Sequence, residues 1–220
     1  FSNDASSTSV GSIDSTGSVS TDSGFSIISY TGTGSDGTIA HGLGSVPQVV
    51  LLKERNGTNN WLMYHHILNT SLGDYSRFMT FNSNGAVAGA NNVVFQNSAF
   101  TSSVFNVGTS AGSNGDGDAY IAYCFAEKQG YSKFGIYTGN GNADGPFIYT
   151  GFKPAFFLAK RSNAGEQWMV YDNKQLGFNE SNNFLGHDTA NGESTGAGST
   201  GAIDILSNGI KIRGTVNGTN

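Results

Sequence analysis

Apolar residues in this chain fall into short runs bounded by clusters of Gly, Asn, Ser and Asp, and the turn clusters recur about every 8 to 12 residues. That spacing predicts short strands joined by tight turns, the pattern of a sandwich or barrel. The expected strands are one ending at Tyr30, then 38–41, the run after Pro47, Trp61 to Tyr64, 76–82, 93–96, 104–107 and 119–126. They continue at 146–149, the run after Pro154, Trp168 to Tyr171, 183–186, 202–206 and 210–213. The runs after Pro47 and Pro154 are continuous rather than alternating, which predicts central strands covered on both faces. No stretch has the periodicity of an amphipathic helix of useful length.

The pattern repeats at a shift of about 107 residues. Tyr30-Thr31-Gly32-Thr33-Gly34 returns as Tyr137-Thr138-Gly139-Asn140-Gly141, and Asp36-Gly37 as Asp144-Gly145. Pro47 to Lys53 corresponds to Pro154 to Lys160, and Trp61-Leu62-Met63-Tyr64 to Trp168-Met169-Val170-Tyr171. Both tryptophans therefore occupy one position used twice. The expected fold is all-β: two sequence-related, β-sandwich-like units in tandem, 24–127 and 128–220, packed as one body or standing apart. Residues 1–23, rich in Ser, Thr, Asp and Gly with isolated Val10, Ile13 and Val19, could not hold a core alone. They are expected to be a polar arm along a partner, or a linker.

The two units differ at one end. After 104–107, the first passes through the polar loop 108–118 into the apolar strand 119–126, whereas the second enters an equivalent loop at 214–220 and lacks the last strand. An uncapped edge invites pairing with another chain. The natural polypeptide is thus expected to continue past Asn220, or a neighbouring subunit to supply the strand.

Composition narrows the function. Charged residues are only 12% of the chain, with 11 basic against 16 acidic residues and a net charge of −5, so no basic patch is available for nucleic acid. No apolar stretch approaches the roughly 20 residues that span a bilayer, so membrane insertion is not expected. The single cysteine, Cys124, reads as a small apolar strand residue.

Candidate chemistry is sparse. A glycosidase needs two carboxylates facing across a cleft, and Glu54, Glu127, Glu166, Glu180 and Glu193 form no repeated motif. Asp36 and Asp144 both stand in Asp-Gly turns, where bonding to the local backbone is the ordinary role. His65 and His66 are adjacent, and adjacent strand residues point to opposite faces; a solvated strand end is expected there, with His41 and His187 alone. No metal site or other cofactor is expected; Asp116 and Asp118, in Asn114-Gly115-Asp116-Gly117-Asp118, are the one candidate for a hard cation, against a plain Gly/Asp turn. Trp61, Tyr64, Trp168 and Tyr171 are expected to be a structural aromatic repeat that packs the core, with glycan stacking as the alternative. The polar loops are the expected binding surface.

Further residues carry a family resemblance. Gly24-Phe25-Ser26-Ile27 with Tyr30-Thr31-Gly32, His41-Gly42-Leu43-Gly44, and above all the junction from Tyr123-Cys124-Phe125-Ala126-Glu127 to Gly130-Tyr131-Ser132-Lys133-Phe134-Gly135 resemble a domain of unknown function in virion proteins of marine tailed phages, cyanophages among them. The resemblance covers nearly everything from Gly24 onward. It implies a place on the extracellular phage particle, in a tail fibre or other surface appendage that contacts the host, and it supplies no catalytic residues. The expected function is non-enzymatic and structural, with other virion proteins, further copies of the chain (a trimer in a fibre) and a host surface glycan as partners. The alternatives are a capsid decoration protein and a carbohydrate-binding module of a polysaccharide-degrading protein.

Overall fold

The computed structural model describes residues 1–175, 179, 183–195 and 201–220. The chain is all-β and folds as two compact units, Phe1–Phe81 with Val87–Lys128, and Gln129–Asn220 with Asn82–Ala86. The short segment Asn82–Ala86 thus belongs to the second unit although the chain on both sides of it belongs to the first.

Unit 1 runs β1 (Ser2–Asn3), α1 (Ala5–Thr8), β2 (Ser15–Ser20), β3 (Phe25–Thr31), β4 (Gly37–Ala40), β5 (Val49–Glu54), β6 (Leu62–His65), α2 (His66–Ser71), β7 (Met79–Thr80), β8 (Val104–Val107), α3 (Ala111–Asn114) and β9 (Ala119–Phe125). One antiparallel sheet has the order β1-β2-β3-β9-β5-β6-β7, and β4 pairs with β8 in a second. The core joins Ile28, Val50, Leu52, Tyr64, Tyr120 and Ala122 of the large sheet with Ile39, Phe105 and Val107 of the small one. Along β9 the side chains alternate, with Tyr120, Ala122 and Cys124 buried while Ile121, Tyr123 and Phe125 are half-buried. The outer edges of the large sheet, β1 and β7, are two residues each, a length that blunts edge pairing.

Residues 1–23, expected as an arm along a partner or a linker, lie instead on the chain's own sheet in unit 1. β2 pairs with β3 along its whole length, from Ser15↔Tyr30 to Ser20↔Phe25. The isolated apolar residues anchor the segment: Ile13 is buried in the core beside Ile39, and Val19 packs on the core's margin. Gly17 permits the approach, because a Cβ there would lie 2.0 Å from the Ile27 carbonyl oxygen. Sequence alone undervalued this segment because its partner strand, not its own apolar content, holds it.

Two further differences have local causes. The strand expected at 93–96 is a turn, where Val94 N–H bonds Asn91 O, and the Gln96 amide instead donates to the Gly37 and Val107 carbonyls beside β4 and β8. The strand expected at 76–82 shrinks to β7. The chain also forms α2, capped by the His65 ring, whose Nδ1 accepts from Leu68 N–H at 3.2 Å.

Unit 2 runs β10 (Phe147–Tyr149), β11 (Phe156–Ala159), β12 (Met169–Asp172), β13 (Asn183–Gly186), β14 (Ser194–Thr195), β15 (Ile203–Leu206) and β16 (Gly209–Ile212). Its sheets have the orders β11-β12-β13-β14 and β10-β16-β15. The pair β10–β16 answers to β4–β8, and β11–β12 to β5–β6. Met169, Tyr171, Ile203, Ile205, Ile210 and Ile212 form its buried cluster.

The expectation of two covered central strands holds for β5 and fails for β11. β5 lies between β9 and β6, whereas β11, among the described residues, pairs with β12 alone and is an edge. Val49 is 3% exposed and Phe156, its counterpart in the repeat, 60%. Leu52→Ala, at a fully buried site, is expected to cost about 2–5 kcal/mol, and Phe156→Ala to stay within about 0.5 kcal/mol, both measured by urea unfolding.

Candidate functional site

The four aromatic residues of the repeat do not play identical parts. Tyr64 and Tyr171 are fully buried. Tyr64 stacks on Phe100 with ring centroids 3.8 Å apart, and Tyr171 packs between Phe157 and Phe184 at 6.0 and 5.8 Å. Burial raises both phenol pKa values well above the ordinary 10. Trp168 is buried too; its indole N–H donates to Ser83 O at 3.0 Å, and Lys160 lies 6.0 Å from its ring centroid. Trp61 is half-buried and stacks on Tyr123 at 6.0 Å, with Phe25 on the other side of that tyrosine at 6.4 Å. Strand alternation puts Tyr123 opposite the core-facing Tyr120, Ala122 and Cys124, so Trp61 and Tyr64 lie on opposite faces of the sheet.

The other candidates are engaged locally. Glu54 is 6% exposed and accepts from the Asn59 amide at 2.7 Å. Glu166 stands 3.9 Å from Arg161, Glu127 donates its backbone N–H to Gln48, Glu193 is exposed, and Glu180 lies outside the described residues. Asp36 is exposed at its turn, while Asp144 pairs with Lys211 at 2.7 Å, and this hydrogen-bonded cation holds its carboxyl below the usual range. Asp118 accepts from Asn56 at 3.3 Å and Asp116 is exposed in the turn leading to β9. Among the described residues no group of three or more His, Cys, Asp or Glu is placed to hold a metal ion. Burial pushes the Cys124 thiol up to about 12, which keeps it unreactive.

The histidines are not at a solvated strand end. His41 is fully buried and His65 9% exposed, while His66 begins α2 and His187 sits in a turn. In both buried rings Nδ1 accepts a backbone N–H, from Leu43 in one and Leu68 in the other, so each is held neutral. Burial lowers both pKa values, that of His65 to about 4.

The most specific polar construction is one that the residue types alone did not suggest. Asn114, fully buried, accepts Thr33 N–H at 2.9 Å and donates to Ser35 O at 2.6 Å and Gly108 O at 2.8 Å. Asn220 accepts Asn140 N–H at 2.7 Å and donates to Asn142 O at 2.6 Å and Gly214 O at 2.8 Å. The same clamp is built twice around the Thr-Gly-x-Gly turn, in which Gly34 and Gly141 both have φ of +66°. Tyr30 Oη donates to Ser113 O at 2.5 Å, and Tyr137 Oη to Thr219 O at 2.7 Å. The available signal was the spacing Gly108-x5-Asn114 against Gly214-x5-Asn220.

Hydroxyl groups line the hollows along the N-terminal strands. One of about 310 Å³ is bordered by Ser2, Asp4, Asp14, Thr16, Ser29 and Thr31. The described residues contain no helix long and apolar enough to cross a membrane.

Asn114→Ala leaves one N–H and two carbonyls without their partner. It is expected to cost about 2 kcal/mol or more, read as a lower urea midpoint, with a smaller loss for Asn220→Ala, whose side chain is less buried. For the histidines, the unfolded chain takes up protons below about pH 6.5 that the folded chain refuses until about pH 4 for His65. Stability therefore falls as pH is lowered through that window. His65→Asn keeps a capping acceptor without the titration, and is expected to flatten the slope of stability against pH by about one proton.

Comparison with known families gives a match over residues 1–220 with the model described as "Domain of unknown function (DUF7483)". No curated protein and no solved structure matches the chain.

Proposed function

We propose, for a chain that belongs to the DUF7483 family, a non-enzymatic structural role in a bacteriophage particle, in a tail fibre or another surface appendage that meets the host. The observation that carries this reading is how the functional groups are used. Tyr64, Trp168 and Tyr171 pack the cores, and Asn114 and Asn220 are spent on backbone carbonyls and N–H groups. The buried carboxylate Glu54 is hydrogen-bonded to an amide. A protein that invests its polar side chains in fixing its own turns is a stiff scaffold, and its low charge suits an exposed assembly. The resemblance at the Tyr123 to Gly135 junction points to a virion protein. Several copies per appendage are expected, three in a fibre, because fibres use symmetric chains.

Antibody labelling of purified particles under the electron microscope tests the placement. Label on tails or fibres is expected. Label confined to the head shell moves the chain to capsid decoration, and absence from particles overturns the assignment. A second reading, glycan binding, draws on the Trp61–Tyr123–Phe25 aromatic row. It requires glycan-array binding that Trp61→Ala abolishes while the fold survives. Release of reducing ends from host capsule, lost on a single Asp or Glu substitution, would overturn the non-enzymatic role.

A further inference from the structure

Strand β10 turns two large aromatic side chains to solvent. Phe147 and Tyr149 are 45% and 65% exposed, while Ile148 between them packs on the buried cluster of Ile203, Ile205, Ile210 and Ile212. β4, the counterpart of β10 in unit 1, reads Gly37-Thr38-Ile39-Ala40 and has no aromatic residue. The two rings are therefore no part of the packing that the repeat uses twice.

Glycines seat both rings. Tyr149 stands opposite Gly209 in the ladder, and the missing side chain there admits the Phe147 ring: a Cβ at 209 would lie 2.8 Å from its Cζ and 2.9 Å from its Cε2. The Tyr149 ring leans the other way, with Oη 3.6 Å and Cζ 3.8 Å from where a Cβ on Gly151 would stand. The outward face of this sheet otherwise holds Lys211, opposite Phe147, then Asp204 and the half-buried Leu206. Both charges are matched. Lys211 bonds the Asp144 carboxylate at 2.7 Å and the Gly145 carbonyl, and Arg213 bonds Asp204 at 2.7 Å. Lys211 thus spends two of its three N–H donors, and the Asp144 side chain remains 83% exposed.

We propose that this face of unit 2, built on Phe147 and Tyr149, binds a pyranose ring of an uncharged glycan. The C–H face of the sugar lies on the Phe147 ring, where an apolar surface meets an aromatic one. Sugar hydroxyls donate to the Asp144 carboxylate in charge-assisted bonds, and the third Lys211 donor meets a sugar oxygen. Tyr149 continues the platform along β10 for the next sugar. Two observations select this occupant. The Asp144–Lys211 and Asp204–Arg213 pairs cancel, so the face carries no net charge and gives an acidic glycan no advantage. The exposed parts of two rings offer on the order of 200 Å², which covers a sugar but falls well short of the roughly 800 Å² per partner that a stable protein interface buries. The inference rests on side-chain placement in unit 2 and not on the particle assignment, so either can fail alone.

The test puts the intact chain on an array of neutral, sialylated, sulfated and uronate-containing glycans, and then titrates the best ligand by calorimetry. Binding to neutral glycans is expected. Phe147→Ala and Tyr149→Ala are each expected to weaken it by about tenfold or more and Asp144→Asn by several-fold, whereas Phe147→Trp retains it and Trp61→Ala leaves it unchanged. Urea midpoints, expected to stay near that of the parent chain, separate loss of contact from loss of fold. Absence of binding to every neutral glycan overturns the proposal, as does binding of acidic glycans alone, or binding that the folded Phe147→Ala and Tyr149→Ala variants keep. A sedimentation mass that drops to the monomer in Tyr149→Ala also overturns it, and makes the face a contact between copies of the chain.

Discussion

Backbone N–H and C=O groups in a buried strand must be paired, and at β9 that requirement is met by two neighbours at once. Its seven residues lie opposite β3 on one side and six of them opposite β5 on the other, so that alternate residues bond to alternate neighbours. The strand thereby sets the separation of β3 from β5 and presents Tyr120, Ala122 and Cys124 to the core. The small residues matter as much as the large one. Ala122 and Cys124 leave room for Ile28, Val50 and Leu52, while Tyr120 reaches out of the sheet to donate to Ala111 O and accept Gly115 N–H. The loop before β9 is thus fastened to the strand it delivers. The N-terminal strands add to this sheet on the far side of β3, which is why a segment poor in apolar residues is ordered at all.

The sequence was most legible where one physical cause acts locally. The turns at Thr-Gly-x-Gly and Asp-Gly, the strands after Pro47 and Pro154, and the tyrosines of the Trp-x-x-Tyr motif could be read directly because positive φ, a missing N–H or alternation leaves its mark within a few residues. The all-β class followed from these. What could not be read depended on partners distant in the chain. β2 is held by β3, Gln96 bonds Gly37 and Val107, and His65 is buried by its surroundings rather than exposed at a strand end. β5 and β11 hold equivalent places in the repeat, yet β5 has both β9 and β6 as neighbours whereas β11, among the described residues, has β12 alone.

The candidate site was legible in part. Trp61, Tyr64, Trp168 and Tyr171 were identifiable as a repeated set, yet the periodicity that identified them made Trp61 and Trp168 look alike. The structure separates them by neighbours: Tyr123 against Trp61, and the Ser83 carbonyl with Lys160 against Trp168. The asparagine clamps leave little mark in the sequence because Asn in a polar loop is ordinary. Their importance lies in the three bonds one amide makes to the turn and to the glycine ahead of it, as Asn114 does to Thr33, Ser35 and Gly108.

The segment Asn82–Ala86 has a consequence for how this polypeptide can be divided. Ser83 and Asn84 give their carbonyls to the Trp168 indole and the Lys160 ammonium, and Asn84 also accepts Glu166 N–H. A fragment starting at residue 128 would begin without these acceptors, and one ending there would carry the orphaned loop. The boundary suggested by the repeat therefore does not coincide with the division into compact units, and a single cut there would deprive the second unit of Asn82–Ala86.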